Sequence, residues 1–195
     1  ISPDEATAGE YAVLTASVGH GCDGSATTVI SIEMPEQVLS VTPTRNPFWT
    51  VKKVMVTLPE PVTDAHGNEV TERVGQVVYQ AKTPLPDGYR DAFALSLRIP
   101  DVPGESLVFP VVQKCEVGET AWIELATEGA EEPDHPAPVV AVLAGDGSGH
   151  HGESSAAPTT AQAEDGDGLG LVGLGAGLVG LVLGAAAFVQ VRRRT

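Results

Sequence analysis

Two cysteines, five histidines and two tryptophans are the residues of this 195-residue chain whose types could do chemistry. Cys22 and Cys115 each stand at the end of an apolar, β-rich run. In an oxidising compartment such a pair reads as a disulfide, and a closed loop on the order of 100 residues constrains the unfolded chain by roughly 4–5 kcal/mol. The competing reading is a pair of soft copper ligands, but no third Cys or Met stands near either one. The histidines are His20, His66, His135, His150 and His151, and no two have the spacing of a zinc site on one element. His20 lies two residues before Cys22 in a Gly-rich turn, where a structural role is expected. His66 lies in a turn signal, His135 precedes Pro136, and His150-His151 reads as a solvated polar dipeptide that would catch a metal only weakly. Trp49 follows Asn46-Pro47-Phe48 and opens a strand, so core or turn packing is expected. Trp122 stands in Ala121-Trp122-Ile123-Glu124-Leu125. On a regular strand Ile123 and Leu125 share one face, and Trp122 and Glu124 share the other. If the aliphatic pair points inward, Trp122 and Glu124 point outward together, which suggests a binding site; plain packing of Trp122 is the simpler expectation.

The chain carries none of the motifs that organise a reacting centre: no strand–Gly-x-Ser-x-Gly–helix context, no Gly-rich phosphate loop and no HExxH. It is expected to be no enzyme. Its 26 Asp and Glu against 11 Lys and Arg give a formal net charge of −15. Three of the basic residues are Arg192, Arg193 and Arg194, and no acid lies beyond Asp167, so the first 167 residues hold 8 basic residues against 26 acids, or −18. That balance excludes non-specific nucleic-acid binding, which needs surplus Lys and Arg to neutralise phosphates. It suits an exported protein that handles cations. Most of the carboxylates read as a solvated surface.

The elements that must position these residues are β-strands. Phe93, Leu95, Leu97 and Ile99 alternate with Ala94, Ser96 and Arg98, and Ile30, Ile32 and Met34 alternate with Ser31 and Glu33, a period of two. Further β-rich runs cover 11–18, 51–58, 74–81, 107–112, 121–125 and 138–143. Turn signals separate them: Cys22-Asp23-Gly24-Ser25, Ala65-His66-Gly67-Asn68, Pro86-Asp87-Gly88 and Pro100-Asp101-Val102-Pro103-Gly104. About nine short strands at this spacing predict an all-β fold, a two-sheet β-sandwich of the immunoglobulin or cupredoxin-like kind over residues 1–144.

Residues 145–168 contain no apolar side chain larger than Ala or Pro. Such a stretch lacks the burial needed to offset backbone ordering, and it is expected to be a flexible acidic linker able to reach roughly 80 Å when extended. Residues 169–191 carry no charge, and the 21 residues of 169–189 would make a helix about 32 Å long, enough to cross the hydrocarbon core. The basic tail 192–195 follows. By the positive-inside rule this predicts a single-pass transmembrane helix in the cell membrane, with the C-terminus cytoplasmic and the N-terminal domain outside. That topology calls for a signal peptide upstream of Ile1. Gly173 with Gly177 and Gly180 with Gly184 have small-xxx-small spacing, which suits a helix-mediated homodimer, although glycine is common in lone membrane helices as well.

Several motifs stand in a distinctive order: Ser2-Pro3-Asp4-Glu5-Ala6-Thr7-Ala8-Gly9-Glu10-Tyr11, His20-Gly21-Cys22-Asp23-Gly24-Ser25-Ala26-Thr27-Thr28, Tyr89-Arg90-Asp91-Ala92-Phe93, Phe109-Pro110-Val111-Val112-Gln113-Lys114-Cys115, Trp122-Ile123-Glu124 and His135-Pro136-Ala137-Pro138. As a set, covering nearly all of residues 1–143, they resemble the YcnI-like family of bacterial copper-binding envelope proteins. The resemblance implies a Cu(II) site of the monohistidine-brace type, in which an N-terminal His chelates copper through its amino group and imidazole, with a Glu and a Trp completing the site. The Trp matches Trp122. The brace His of the family stands a few residues before the segment matching Ile1-Ser2-Pro3, and the position of its Glu is occupied here by Ala92. Asp91 and Glu124 are the candidate carboxylates in its place. Other copper-handling envelope proteins are the partners the resemblance implies. A metal-free interaction module displayed on a stalk is the alternative.

Overall fold

A computed structural model describes residues 1–145 except 127, 128, 130 and 132. The predicted linker beyond Gly145, the predicted membrane span 169–191 and the basic tail 192–195 lie outside the described residues. Every regular element described is a strand. In chain order they are β1 (Glu5–Thr7), β2 (Tyr11–Val18), β3 (Thr27–Glu33), β4 (Val41–Pro43), β5 (Trp49–Thr63), β6 (Glu69–Leu85), β7 (Asp91–Arg98), β8 (Ser106–Val108), β9 (Val111–Cys115), β10 (Glu119–Trp122) and β11 (Val139–Leu143).

They form a five-stranded sheet of order β10-β9-β3-β6-β5 and two three-stranded sheets, β2-β7-β4 and β1-β11-β8. All pairings are antiparallel except β1 with β11. The alternation read in the sequence is what builds the core. Phe93, Leu95 and Leu97 of β7 are buried, as are Ile30 and Ile32 of β3, while Ala94, Ser96 and Ser31 are only half-buried. Each fully buried aliphatic or aromatic side chain of this kind is worth about 1.5–3 kcal/mol relative to exposure. The Phe93 ring meets Tyr79 of β6 at 4.5 Å and Trp49 of β5 at 4.9 Å, so side chains of β7 interdigitate with those of the five-stranded sheet. This is the contact that makes the molecule a sandwich.

The described residues hold eleven strands where about nine were expected, for local reasons. The three-residue strands β1 and β4 are too short to show a period. The run 107–112 divides into β8 and β9 at Phe109-Pro110, where Pro110 has no N–H to give to a ladder. The strands β5 and β6 run well past their apolar cores, to 15 and 17 residues. Their ladder is interrupted between Thr57 and Val62, the interval holding Pro59 and Pro61, and resumes at Val62 opposite Val70. At the tip, the Asp64 carboxylate accepts the backbone N–H groups of His66 and Asn68 at 2.8 and 2.9 Å. The Asn68 bonds lead in holding this carboxyl below its ordinary range.

Candidate metal centre

Cys22 and Cys115 form a disulfide with Cα atoms 6.0 Å apart, which settles the choice between bridge and ligand pair. The bond ties the loop after β2 to the end of β9. Around it the chain 19–26 is held at several further points. Cys22 and Ser25 exchange backbone hydrogen bonds of 3.1 and 2.8 Å. Asp23 and Gly24 between them both have positive φ, 48° and 83°, as a tight turn of the primed type requires. The N–H of Gly21 donates to Asp87 Oδ1 at 2.8 Å. Gln113, only 2% exposed, donates from Nε2 to the His20 carbonyl at 2.7 Å and to Thr27 Oγ1 at 2.8 Å. A buried amide left without such partners would cost about 1–3 kcal/mol, so Gln113 both satisfies itself and fixes His20.

The His20 ring lies against Trp122, with centroids 6.1 Å apart. The His135 ring stands edge-on to the same indole at 5.1 Å. The order β3-β9-β10 in the sheet brings these distant positions together: β3 follows the His20 turn and pairs with β9, and β9 pairs with β10 so that Trp122 sits opposite Val111. Sequence reasoning did not single out His20 or His135 as site residues, because no local period links them to Trp122. The available signal was the presence of both histidines in the ordered motif set.

Trp122 is half-buried and packs against the core, whereas Ile123 and Leu125 are 51% and 63% exposed. The outward arrangement of Trp122 with Glu124 is therefore reversed. Strand β10 ends at Trp122, and the chain beyond it leaves the sheet, so the two-residue alternation does not continue to Glu124. Trp122 faces inward with its partner Val111, which is buried. Glu124 is exposed instead, and its Oε2 accepts the His135 backbone N–H at 2.9 Å. Asp91 is engaged elsewhere. Its carboxylate accepts Trp49 Nε1–H at 2.7 Å, Asn46 Nδ2–H at 3.1 Å and its own following amide, of Ala92, at 2.8 Å. Trp49, 3% exposed, is core packing as expected.

A pocket of about 190 Å³ opens beside Trp122, and Ile1, Ser17, Gly19, His20 and Gln113 are among the residues that line it. Neither Asp91 nor Glu124 lines it. The N-terminal segment enters here: Ser2 and Thr15 exchange backbone hydrogen bonds of 3.0 and 2.8 Å, so Ile1 lies next to the end of β2. Among the described residues no three His, Cys, Asp or Glu side chains cluster closely enough to hold a metal ion unaided. One imidazole, that of His20, lines the pocket. Its Nδ1 is 2.8 Å from the Gly21 carbonyl oxygen, which can only accept, so the ring proton sits on Nδ1. The neutral ring then keeps its lone pair on Nε2, the arrangement in which imidazole binds metals.

The fold and the disulfide-tied loop define an immunoglobulin-like β-sandwich domain. A structure with the same fold is that of an uncharacterized protein from Nocardia farcinica, described as having an immunoglobulin-like fold; it is 23% identical over 71% of this chain and 92% of its own, with a TM-score of 0.54. Residues 1–142 match the family model described as a domain of unknown function, DUF1775, and the chain belongs to that family. This is the family to which the YcnI-like resemblance pointed. No curated protein matches the chain.

Proposed function

We propose that this protein is a membrane-anchored, extracytoplasmic copper-binding protein that holds or passes Cu(II) at the outer face of the cell membrane, with no catalytic turnover. The observation that carries the reading is the meeting of the N-terminal segment with Trp122 in one pocket. Antiparallel pairing at Ser2 and Thr15 gives the segment a direction: any residue preceding Ile1 would be directed toward Ser17 and the turn that follows β2. An N-terminal His placed there would present its amino group and imidazole beside the indole. The ring's negative face attracts a cation, and its bulk limits water access. Bound copper would supply a redox-capable, nitrogen-preferring cation. The protein's part is to orient the donors and shield them. Residues 169–191 would anchor the domain, and copper-handling proteins of the envelope would be its exchange partners.

The test is to express the gene with its native signal cleavage, identify the mature N-terminal residue by mass spectrometry, and titrate the same sample with Cu(II). A mature N-terminal His with one tight copper per chain is expected. Loss of that stoichiometric binding on replacing the His completes the case. A different N-terminus with weak, multi-site binding would overturn the reading.

One observation favours a second reading, a metal-free interaction module. Val54, Met55, Val56 and Val62 are all exposed on the β5–β6 ribbon, giving it an apolar surface that a partner protein could cover. Copper titration separates the two.

A further inference from the structure

We propose that the groove between the turn before β5 and the turn before β7 binds an extended, proline-containing acidic segment of a partner protein. The groove shares no lining residue with the pocket beside Trp122, so the inference is independent of the copper reading. Its volume is about 390 Å³, and it exists because β6 outruns β5. Trp49, the first residue of β5, lies opposite Ala81, but β6 continues to Leu85. Thr83, Pro84 and Leu85 therefore have no β5 residue beside them, and all three line the groove. The Lys82 N–H still reaches the Phe48 carbonyl at 2.9 Å. The next N–H on that side, two residues on, would be that of Pro84, which has none. The open edge lacks the donor that strand addition needs, so side chains must hold an extended visitor.

Each turn contributes an aromatic wall. Phe48 and Tyr89 are 69% and 67% exposed, in a domain that buries Trp49, Tyr79, Phe93 and Phe109. Both rings line this one groove, an unpartnered aromatic surface. Both are also held in place. Asn46 Oδ1 accepts the Phe48 N–H at 3.0 Å, and the Pro86 carbonyl accepts the Tyr89 N–H at 3.2 Å across Gly88, whose φ is 81°. Asp91 ties the turns together: it follows Tyr89-Arg90, and its carboxylate accepts N–H groups of Asn46 and Trp49. Asp91 is thus a positioning residue for this groove.

Charge identifies the occupant. Lys82 and Arg90 line the groove, and Arg45 lines a recess that shares Pro47, Trp49 and Lys82 with it. These are three of the 8 basic residues that the first 167 positions hold against 26 acids. Among the described residues none of the three sits in an ion pair. The one carboxylate of the lining, that of Asp91, already accepts three N–H groups. Cations gathered on so acidic a domain attract an acidic segment. The two rings with Pro47, Pro84 and Pro86 make the kind of trough in which polyproline II segments lie, and such segments lose little conformational freedom on binding.

The test uses the full chain purified in detergent and labelled peptides of about ten residues, roughly 30 Å long as polyproline II. Three are compared by fluorescence anisotropy: a Pro-Glu repeat, a Pro-Gln repeat that lacks its charge and a Gly-Glu repeat that lacks its rings. The Pro-Glu peptide should bind, and the other two should bind at least about fivefold more weakly. Phe48→Ala and Tyr89→Ala should each weaken Pro-Glu binding by at least about fivefold, as truncating a hot-spot aromatic does. Both side chains are exposed, so unchanged thermal unfolding of these variants separates loss of contact from loss of fold. The double variant Arg45→Glu/Arg90→Glu should turn the preference toward a Pro-Lys repeat. Equal binding of the Gly-Glu and Pro-Glu peptides would reduce the groove to a charged surface. Wild-type affinity in Phe48→Ala and Tyr89→Ala would place the binding elsewhere. Binding of polygalacturonate, an anionic glycan, by wild type and not by those two variants, with no peptide bound, would make the occupant a glycan. Each of these three results overturns the proposal, as does failure of the Pro-Glu peptide to bind, and none of them bears on the copper reading.

Discussion

Tyr79 shows how one atom can set a residue's behaviour. Its ring fills the middle of the core against Phe93, but its hydroxyl is buried with no hydrogen-bond partner. An unsatisfied buried hydroxyl is a cost without a return, so Tyr79→Phe should leave stability unchanged or raise it by about 1 kcal/mol. Denaturant unfolding at neutral pH measures this. Burial also pushes the phenol up from 10.0 to about 12. The group is neutral in the fold to higher pH than in the unfolded chain. Its contribution is thus fully present below pH 10 and is lost as pH rises from 10 toward 12. The wild type should show a fall in stability over that interval that the Phe variant lacks, and identical alkaline profiles would refute the account. At this same scale the sequence was least informative about the site. Asp91 enters as one of two candidate carboxylates because its place in the motif is visible. Its hydrogen bond to Trp49, 42 positions away, is not.

At the scale of elements, the loop 19–26 is held by the disulfide, by the Asp87 carboxylate and by the Gln113 amide. Gly21 is required there by close approach: a Cβ at this position would overlap the Ser25 carbonyl that closes the Cys22–Ser25 turn. Gly21→Ala should therefore distort the turn, lowering stability by roughly 1–3 kcal/mol as overpacking does elsewhere. It should also shift the Trp122 fluorescence, because the His20 ring moves with the loop. A variant with wild-type melting and emission would show that the turn tolerates the methyl. Sequence pattern made the strands legible wherever one face was buried: 11–18 is strand β2 residue for residue, and the alternation in β3 and β7 is the core itself. It misled at 121–125, because two-residue alternation assumes that the strand continues. Here the ladder stops at Trp122, and the following residues turn out to meet Pro136 through Glu124 instead. The outer part of the β5–β6 ribbon was equally hidden, since a two-stranded ribbon exposed on both faces carries no burial pattern to read.

At the scale of the whole molecule, the disulfide joins points 93 residues apart in sequence and thereby closes most of the described domain into one loop. Reduction should lower stability by about 2–5 kcal/mol. The check is a comparison of denaturant midpoints with and without a thiol reductant, using Cys22→Ala/Cys115→Ala to separate bond loss from side reactions. Equal midpoints would mean that the sandwich core alone sets stability. The all-β architecture was legible from composition and period because both report burial. The pocket was not, because it is assembled from the N-terminus, the loop after β2 and the end of β10, three segments related only through strand order.

The parallel pairing of β1 with β11 has a consequence for the pocket. Glu5 lies opposite Ala141 and Thr7 opposite Leu143, so the two strands point the same way. Ile1 and Pro138, which precede them, both line the pocket, while at the other end of the ladder the Leu143 carbonyl accepts the Ala8 N–H at 2.8 Å. The pocket residues Ile1 and Pro138 thus lie before this ladder, and Leu143 ends it. Because both pocket segments lead into one three-residue ladder, loosening the β1–β11 pairing would displace Ile1 and Pro138 together.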